Sequence, residues 1–146
     1  MGSNSSTARQ QAVVALFDSL IEELKHADEL VIALPMYNFG MPSTLKAYFD
    51  HVVRAGITFH YTAQGSVGHL TGKRVYVFAA RGGFYADTPQ DWQTAYLRHL
   101  LAFMGMTDVE FVYAEGLAIG EKSKADALAR AREAVERLAG QELMAA

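Results

Sequence analysis

The stretch Leu30-Val31-Ile32-Ala33-Leu34-Pro35, followed by Met36-Tyr37-Asn38-Phe39-Gly40-Met41-Pro42, decides the fold. Five consecutive apolar residues suit a strand covered on both faces of a parallel sheet, because a strand with one wet face would alternate. Pro35 cannot donate to a ladder and stops the run. Beyond it, Pro42 can occupy a first helical turn. Leu45, Tyr48, Phe49, Val52 and Val53 then supply the stripe of a helix that Gly56 closes.

Outward from this strand, helices and strands alternate. Upstream, Val13, Leu16, Phe17, Leu20, Ile21 and Leu24 recur at helical spacing, which predicts a helix capped by Ser6 or Thr7. Downstream, residues 56–73 lack a long periodicity, and Thr58-Phe59-His60-Tyr61 with Gly65 and Gly68 predicts a long loop or a short hairpin. Val75-Tyr76-Val77-Phe78-Ala79-Ala80 reads as a second strand, stopped by Gly82-Gly83. Thr88-Pro89 is expected to open a third helix through Trp92, Tyr96, Leu100 and Phe103, with Gly105 as its stop. Val109 to Tyr113 gives a third strand, and Ser123 starts a final helix running to Gly140. This order predicts a single α/β domain over residues 1–146, with a parallel sheet, right-handed crossovers and helices on both faces.

At 146 residues, 51% hydrophobic and 20% charged, the chain has the balance of one soluble domain and excludes disorder. A net charge of -3, with Lys and Arg dispersed, excludes nucleic acid as the expected partner. The absence of cysteine removes disulfides, thiolate nucleophiles and Cys-ligated metals, so redox chemistry would need a bound cofactor. No apolar run reaches membrane-spanning length, and the small polar start is unlike a signal peptide, so no membrane partner is expected and the cytoplasm is the default location.

Ligands of open α/β sheets bind beyond the carboxyl ends of the strands, which directs attention to the loops after the first two. In the first, Met36, Tyr37 and Phe39 could cover a flat heteroaromatic ring while Asn38 and backbone groups meet its polar edge. In the second, Ala80-Arg81-Gly82-Gly83 sets a fixed positive charge beside two residues that permit close backbone approach. Taken singly, a double glycine is turn punctuation and two loop aromatics are packing residues. Their pairing on neighbouring loops is what points to a ligand.

These segments resemble the FMN-dependent NADH azoreductase family, whose fold is flavodoxin-like. The resemblance rests on Ala33-Leu34-Pro35-Met36-Tyr37-Asn38-Phe39, Pro42-Ser43-Thr44-Leu45-Lys46, Arg54-Ala55-Gly56-Ile57-Thr58-Phe59, Leu70-Thr71-Gly72-Lys73, Arg81-Gly82-Gly83 and Gly105-Met106-Thr107-Asp108, in one order from Ala8 to Gly140. It implies an FMN cofactor, NADH as electron donor, quinone or azo acceptors reduced by a ping-pong exchange, and a homodimer with shared active sites. It also implies that Met36, Tyr37, Asn38, Phe39, Ala80, Arg81, Gly82 and Gly83 contact the isoalloxazine, and that Tyr61 and Phe103 lie around the substrate face. Ala80 stands where many relatives carry Ser, which removes a hydroxyl contact. No side chain is expected to act as a covalent catalyst; Arg81 and the backbone of Gly82 and Gly83 would stabilise charge on the reduced ring.

The family opens with a strand, a Ser-rich phosphate-binding loop, a helix and a second strand, a pattern this sequence lacks, since no strand precedes Ser3, Ser5 and Ser6. The expectation is a flavodoxin-like sheet truncated to about three strands, with an exposed apolar edge and FMN held weakly. Two alternatives stay open: a cofactor-poor remnant or dimerisation module without turnover, and a natural protein longer than this chain. His26, His51, His60, His69 and His99 show no metal-ligand spacing, so no metal is expected. Ser43 and Ser66 lack a nucleophile elbow, and Glu22, Glu23, Glu133 and Glu136 read as solvated helix faces.

Overall fold

The structure, a computed structural model, describes residues 7–145. Its elements are α1 (Ala8–His26), β1 (Glu29–Pro35), α2 (Ser43–Val52), β2 (Phe59–Thr62), β3 (Gly65–Gly68), β4 (Arg74–Ala80), α3 (Trp92–Phe103), β5 (Asp108–Ala114) and α4 (Glu121–Ala145). The expected alternation is present, and the uncertain stretch after Gly56 is a hairpin, β2 pairing antiparallel with β3. Strands β1, β4 and β5 form a parallel sheet in the order β1-β4-β5, so β1 is an edge strand.

Of the two cap candidates for α1, Thr7 caps it: Thr7 Oγ1 accepts from Gln10 N, and Gln10 Oε1 accepts from Thr7 N, a reciprocal capping box. Ser6 lies outside the described residues, as do Ser3 and Ser5. The apolar stripe of α1 is used only in its second half. Ile21 and Leu24 join the core, while Val13 and Leu16 are 41% and 55% exposed. The core lies on one face of the sheet, where Ile32, Leu34, Val75 and Val77 meet Phe49 and Val52 of α2 and Leu97 and Leu101 of α3.

The opposite face is covered by α4 over β5, where Val112 and Ala127 are buried, but not over β1, where Val31 is 70% exposed. The reading of β1 as buried on both faces is therefore corrected for its outer face and free edge. Its apolar sequence is right for a central strand, yet no described element covers Val31 and Ala33.

Helix boundaries shift for local reasons. Thr88 and Pro89 form a turn, not a helix start, because Thr88 Oγ1 donates to Tyr85 O and Asp91 N donates to Thr88 O. Asp91 is the cap of α3, its Oδ1 accepting from Thr94 N. Pro42 stands at the cap of α2 and not inside it. Helix α4 begins two residues before Ser123, at Glu121, and carries through Gly140 to Ala145. Among the described residues, no helix is long and apolar enough to cross a membrane.

Candidate functional site

The three parallel strands end side by side at Pro35, Ala80 and Ala114. Met36 N donates to Ala80 O at 3.0 Å and Arg81 N donates to Ala114 O at 2.9 Å, so the loops leave the sheet as neighbours. The first is a tight turn: Tyr37 and Gly40 exchange N–H···O bonds of 3.0 and 2.9 Å across Asn38 and Phe39, whose φ values are 48° and 67°. Asn tolerates this left-handed region, whereas a Phe there is uncommon and persists only when its surroundings hold it. Tyr37 and Phe39 are 62% and 51% exposed, so neither ring is packed away under the loop.

A residue without a signal in the sequence holds this turn. Gln93, in the first turn of α3, is buried, and its Nε2 donates to both Pro35 O and Gly40 O at 3.0 Å, bracketing the loop at its two ends. Replacing it by Leu should destabilise the fold by about 1–3 kcal/mol, since two buried carbonyls lose their donor. Amide exchange at residues 37–40 should rise in step. Exchange unchanged from the parent would mean that the turn holds itself.

The second loop, residues 81–86, is folded so that its carbonyls point inward. Gly82 O and Gly83 O accept from Ala118 N and Gly116 N at 3.0 and 2.9 Å. The N–H groups of Gly82 and Gly83 meet no partner among the described residues and remain available as donors. The rings of Phe39 and Tyr85 meet edge to face with centroids 5.6 Å apart, which joins the two loops.

Arg81 does not point where the sequence reading aims it. Its side chain is fully buried, forked onto Asp91 by bonds of 3.0 and 2.9 Å, with further bonds to Thr94 Oγ1 at 3.0 Å and Glu115 Oε2 at 3.3 Å. Its guanidinium carbon sits 4.9 Å from the Tyr113 ring centroid. Glu115 in turn accepts from Tyr85 N and Ala86 N at 2.7 and 3.0 Å. The charge on Arg81 is spent inside the protein, tying the second loop to the cap of α3. Burial pushes the Asp91 carboxyl upward, but hydrogen bonds from Arg81 and Thr94 and the guanidinium charge outweigh it and hold the group below its ordinary value.

Tyr61 and Phe103 lie elsewhere. They flank Phe59, with centroid separations of 5.2 Å to Tyr61 and 4.4 Å to Phe103. Phe103 ends α3 and Gln93 begins it, which puts the two about 15 Å apart along the helix axis. One chain thus brings residues 36–39 together with 80–83, but leaves the aromatic hairpin at the opposite pole.

The profile of the flavodoxin-like fold family matches residues 2–139. The chain belongs to that family. Among flavodoxin-like relatives, an FMN-dependent NADH:quinone oxidoreductase of Burkholderia thailandensis is 58% identical over 129 residues, covering 88% of this chain and 65% of that protein. Another of that name, from Dechloromonas aromatica, is 54% identical over 132 residues, covering 90% of this chain and 66% of its own. The FMN-dependent NADH-azoreductase of Bacillus anthracis, solved with FMN, superposes with a TM-score of 0.79 at 34% identity, over 91% of this chain and 66% of that one. The flavodoxin-like chain described here therefore spans about two thirds of the length of such relatives.

Proposed function

We propose that this chain works in FMN-dependent NADH:quinone oxidoreduction of the azoreductase type, with Met36, Tyr37, Asn38, Phe39, Ala80, Gly82 and Gly83 forming the ring-facing part of the cofactor site and the buried Arg81 supporting it from behind. The observation that carries this reading is the pairing of two exposed aromatic rings on one loop with two unpartnered backbone N–H donors on the next. A flat ring with an electron-rich polar edge fits both: the aromatics cover its face and the Gly82 and Gly83 amides meet its edge. FMN held there would supply two-electron redox chemistry between NADH and a quinone or azo compound. In this reading Arg81 is a positioning residue. It fixes the backbone that carries the donors, and its own charge is shared with Asp91 and Glu115.

The names carried by the relatives support the cofactor and donor. Titrating FMN into the protein and following the quenching of its fluorescence tests the reading, and NADH oxidation coupled to a soluble quinone then tests turnover. Tyr37→Ala or Phe39→Ala is expected to weaken ring binding by about 0.5–1.5 kcal/mol beyond the loss of contact area, with little effect on unfolding. Equal losses of thermal stability and of ring affinity would return both residues to a packing role.

A homodimer belongs to the same proposal. Tyr61 and Phe103 can approach the ring-facing loops only from a second subunit, because a single chain holds them at opposite poles. Beside those loops, Phe39, Trp92 and Tyr96 line an apolar cleft of ≈ 470 Å³, and Trp92 is 68% exposed. Sedimentation should show a dimer at micromolar concentration that Trp92→Glu weakens. A parent protein that sediments as monomer would remove the shared site. The quinone or azo acceptor and a cytoplasmic location follow from this proposal.

A further inference from the structure

Folding of the β2–β3 hairpin creates a juxtaposition that residue spacing conceals. His60, on β2, and His69, just past β3, are nine residues apart, yet His60 Nδ1 lies 2.6 Å from His69 Nε2. Both side chains are exposed. His69 Nδ1 lies 2.9 Å from Ile57 O, which can only accept, so this nitrogen carries the proton and Nε2 presents its lone pair toward His60. A backbone carbonyl fixing one ring nitrogen while the other looks outward is the arrangement that orients metal-binding histidines. His26 and His51 are held by their own helix carbonyls, Glu22 O and Ala47 O, but neither has a second imidazole against it.

We propose that His60 Nδ1 and His69 Nε2 form a two-imidazole chelate for a late divalent transition metal of the Cu2+ or Ni2+ class. In the metal-free state a proton on His60 Nδ1 bridges the two nitrogens. Binding requires that proton to move to His60 Nε2, a change of tautomer with no net loss of charge. Metal–nitrogen bonds of about 2.0–2.1 Å at a right angle place two ligating nitrogens about 2.9 Å apart. The two nitrogens now face one another along the hydrogen bond, so the pair must open by a few tenths of an ångström and each ring must pivot by about 45° to aim its lone pair at the ion; the small opening favours neighbouring positions of a square-planar site over a tetrahedral one. Water fills the remaining positions. Among the described residues no group of three or more His, Cys, Asp or Glu side chains is placed to hold a metal, so the site is a bidentate clip and not a cage.

The His69 arm of the clip is preorganised. His69 N donates to Thr58 O at 2.9 Å, and the buried Thr58 donates from Oγ1 to Val52 O at 2.8 Å, so the second ligand stands on the end of α2. A bound ion would bridge the hairpin that carries Tyr61 to this rigid base. The proposal does not depend on flavin binding and is tested on the cofactor-free chain. Cu2+ titrated into untagged protein in a non-coordinating buffer should bind one equivalent, with nitrogen hyperfine splitting from two imidazoles in its electron paramagnetic resonance spectrum. His60→Gln and His69→Gln should each weaken binding by about tenfold or more. His26→Gln and His99→Gln should bind as the parent does. The proposal is overturned by a one-nitrogen spectrum, by either clip variant binding Cu2+ as tightly as the parent, or by no bound copper.

Discussion

Arg81→Met should lower the unfolding free energy by about 3–5 kcal/mol, because it strands two carboxylates in the interior without their cation. For a domain of this size that is a fall of roughly 10–15 °C in Tm. Asp91 and Glu115 side chains are only 7% and 13% exposed, so water cannot replace the guanidinium that forks onto one and touches the other. Arg81→Lys should recover little, since an ammonium cannot reproduce the two parallel bonds to Asp91 or the contact with Tyr113. A paired change, Arg81→Met with Asp91→Asn, should recover part of the loss by removing one of the stranded charges.

The pH dependence of this cluster has a defined sign. Asp91 is held below its ordinary value of 3.8 in the folded state, so its contribution is fully present above the unfolded value and is lost as pH falls through the folded one. In Arg81→Met, burial acts on Asp91 without the guanidinium and pushes the carboxyl upward. The gap between parent and variant should therefore narrow as pH drops from about 7 toward about 3. Urea unfolding at the two ends of that range measures it. A gap that stays constant would mean that Arg81 stabilises the fold through packing of its stem and not through its charge.

The order of elements around the parallel sheet was readable because β1, β4 and β5 are short runs rich in apolar residues and each helix carries a stripe of period 3.6. The loops at the carboxyl ends were readable as well, since Tyr37-Asn38-Phe39 and Gly82-Gly83 are residues that neither a strand nor a helix would choose. What escaped is what long-range pairing creates. Gln93 is one polar residue on a helix until Pro35 O and Gly40 O are found opposite its amide. Arg81 next to two glycines reads as a ligand-facing charge, because nothing local shows that Asp91 and Glu115, ten and thirty-four residues away, close around it. His60 and His69 meet only through the register of the hairpin. The outer face of β1 was misread for a related reason: an apolar run reports what a strand is suited to lie against, not which element covers it.

The second large effect is expected at Gly68. A Cβ at this position would lie 2.1 Å from Gly105 N and Met104 C and 2.4 Å from Met104 O, all of them backbone atoms. No rotamer change can relieve such contacts, so the β2–β3 hairpin and the end of α3 must part by more than 1 Å to reach ordinary van der Waals separation. Gly105 reinforces the contact from its own side: its φ of 103° belongs to the region glycine favours, and its Cβ would meet Gly68 C and O at 3.1 Å. Parting the two backbones stretches the bond from Leu70 N to Met104 O, now 2.8 Å, and opens the tilted ring contact between Phe59 and Phe103. Gly68→Ala should therefore lose about 3 kcal/mol or more, at or beyond the upper end of ordinary overpacking. Gly140→Ala, which introduces a methyl with nothing within 4 Å inside α4, should instead be neutral or stabilise by about 0.4–1 kcal/mol. The damage at Gly68 should also be local in function. The ring-facing loops at the other pole keep Gln93 and the Arg81 cluster, so ring affinity per folded molecule should hold, while dimer formation and acceptor turnover, which use Tyr61 and Phe103 in the proposed site, should fall. Denaturant unfolding, sedimentation and flavin titration on the same preparation separate these effects. Ring affinity that collapses together with the hairpin would show that the two poles are coupled within one chain, and the division of the site between subunits would have to be abandoned.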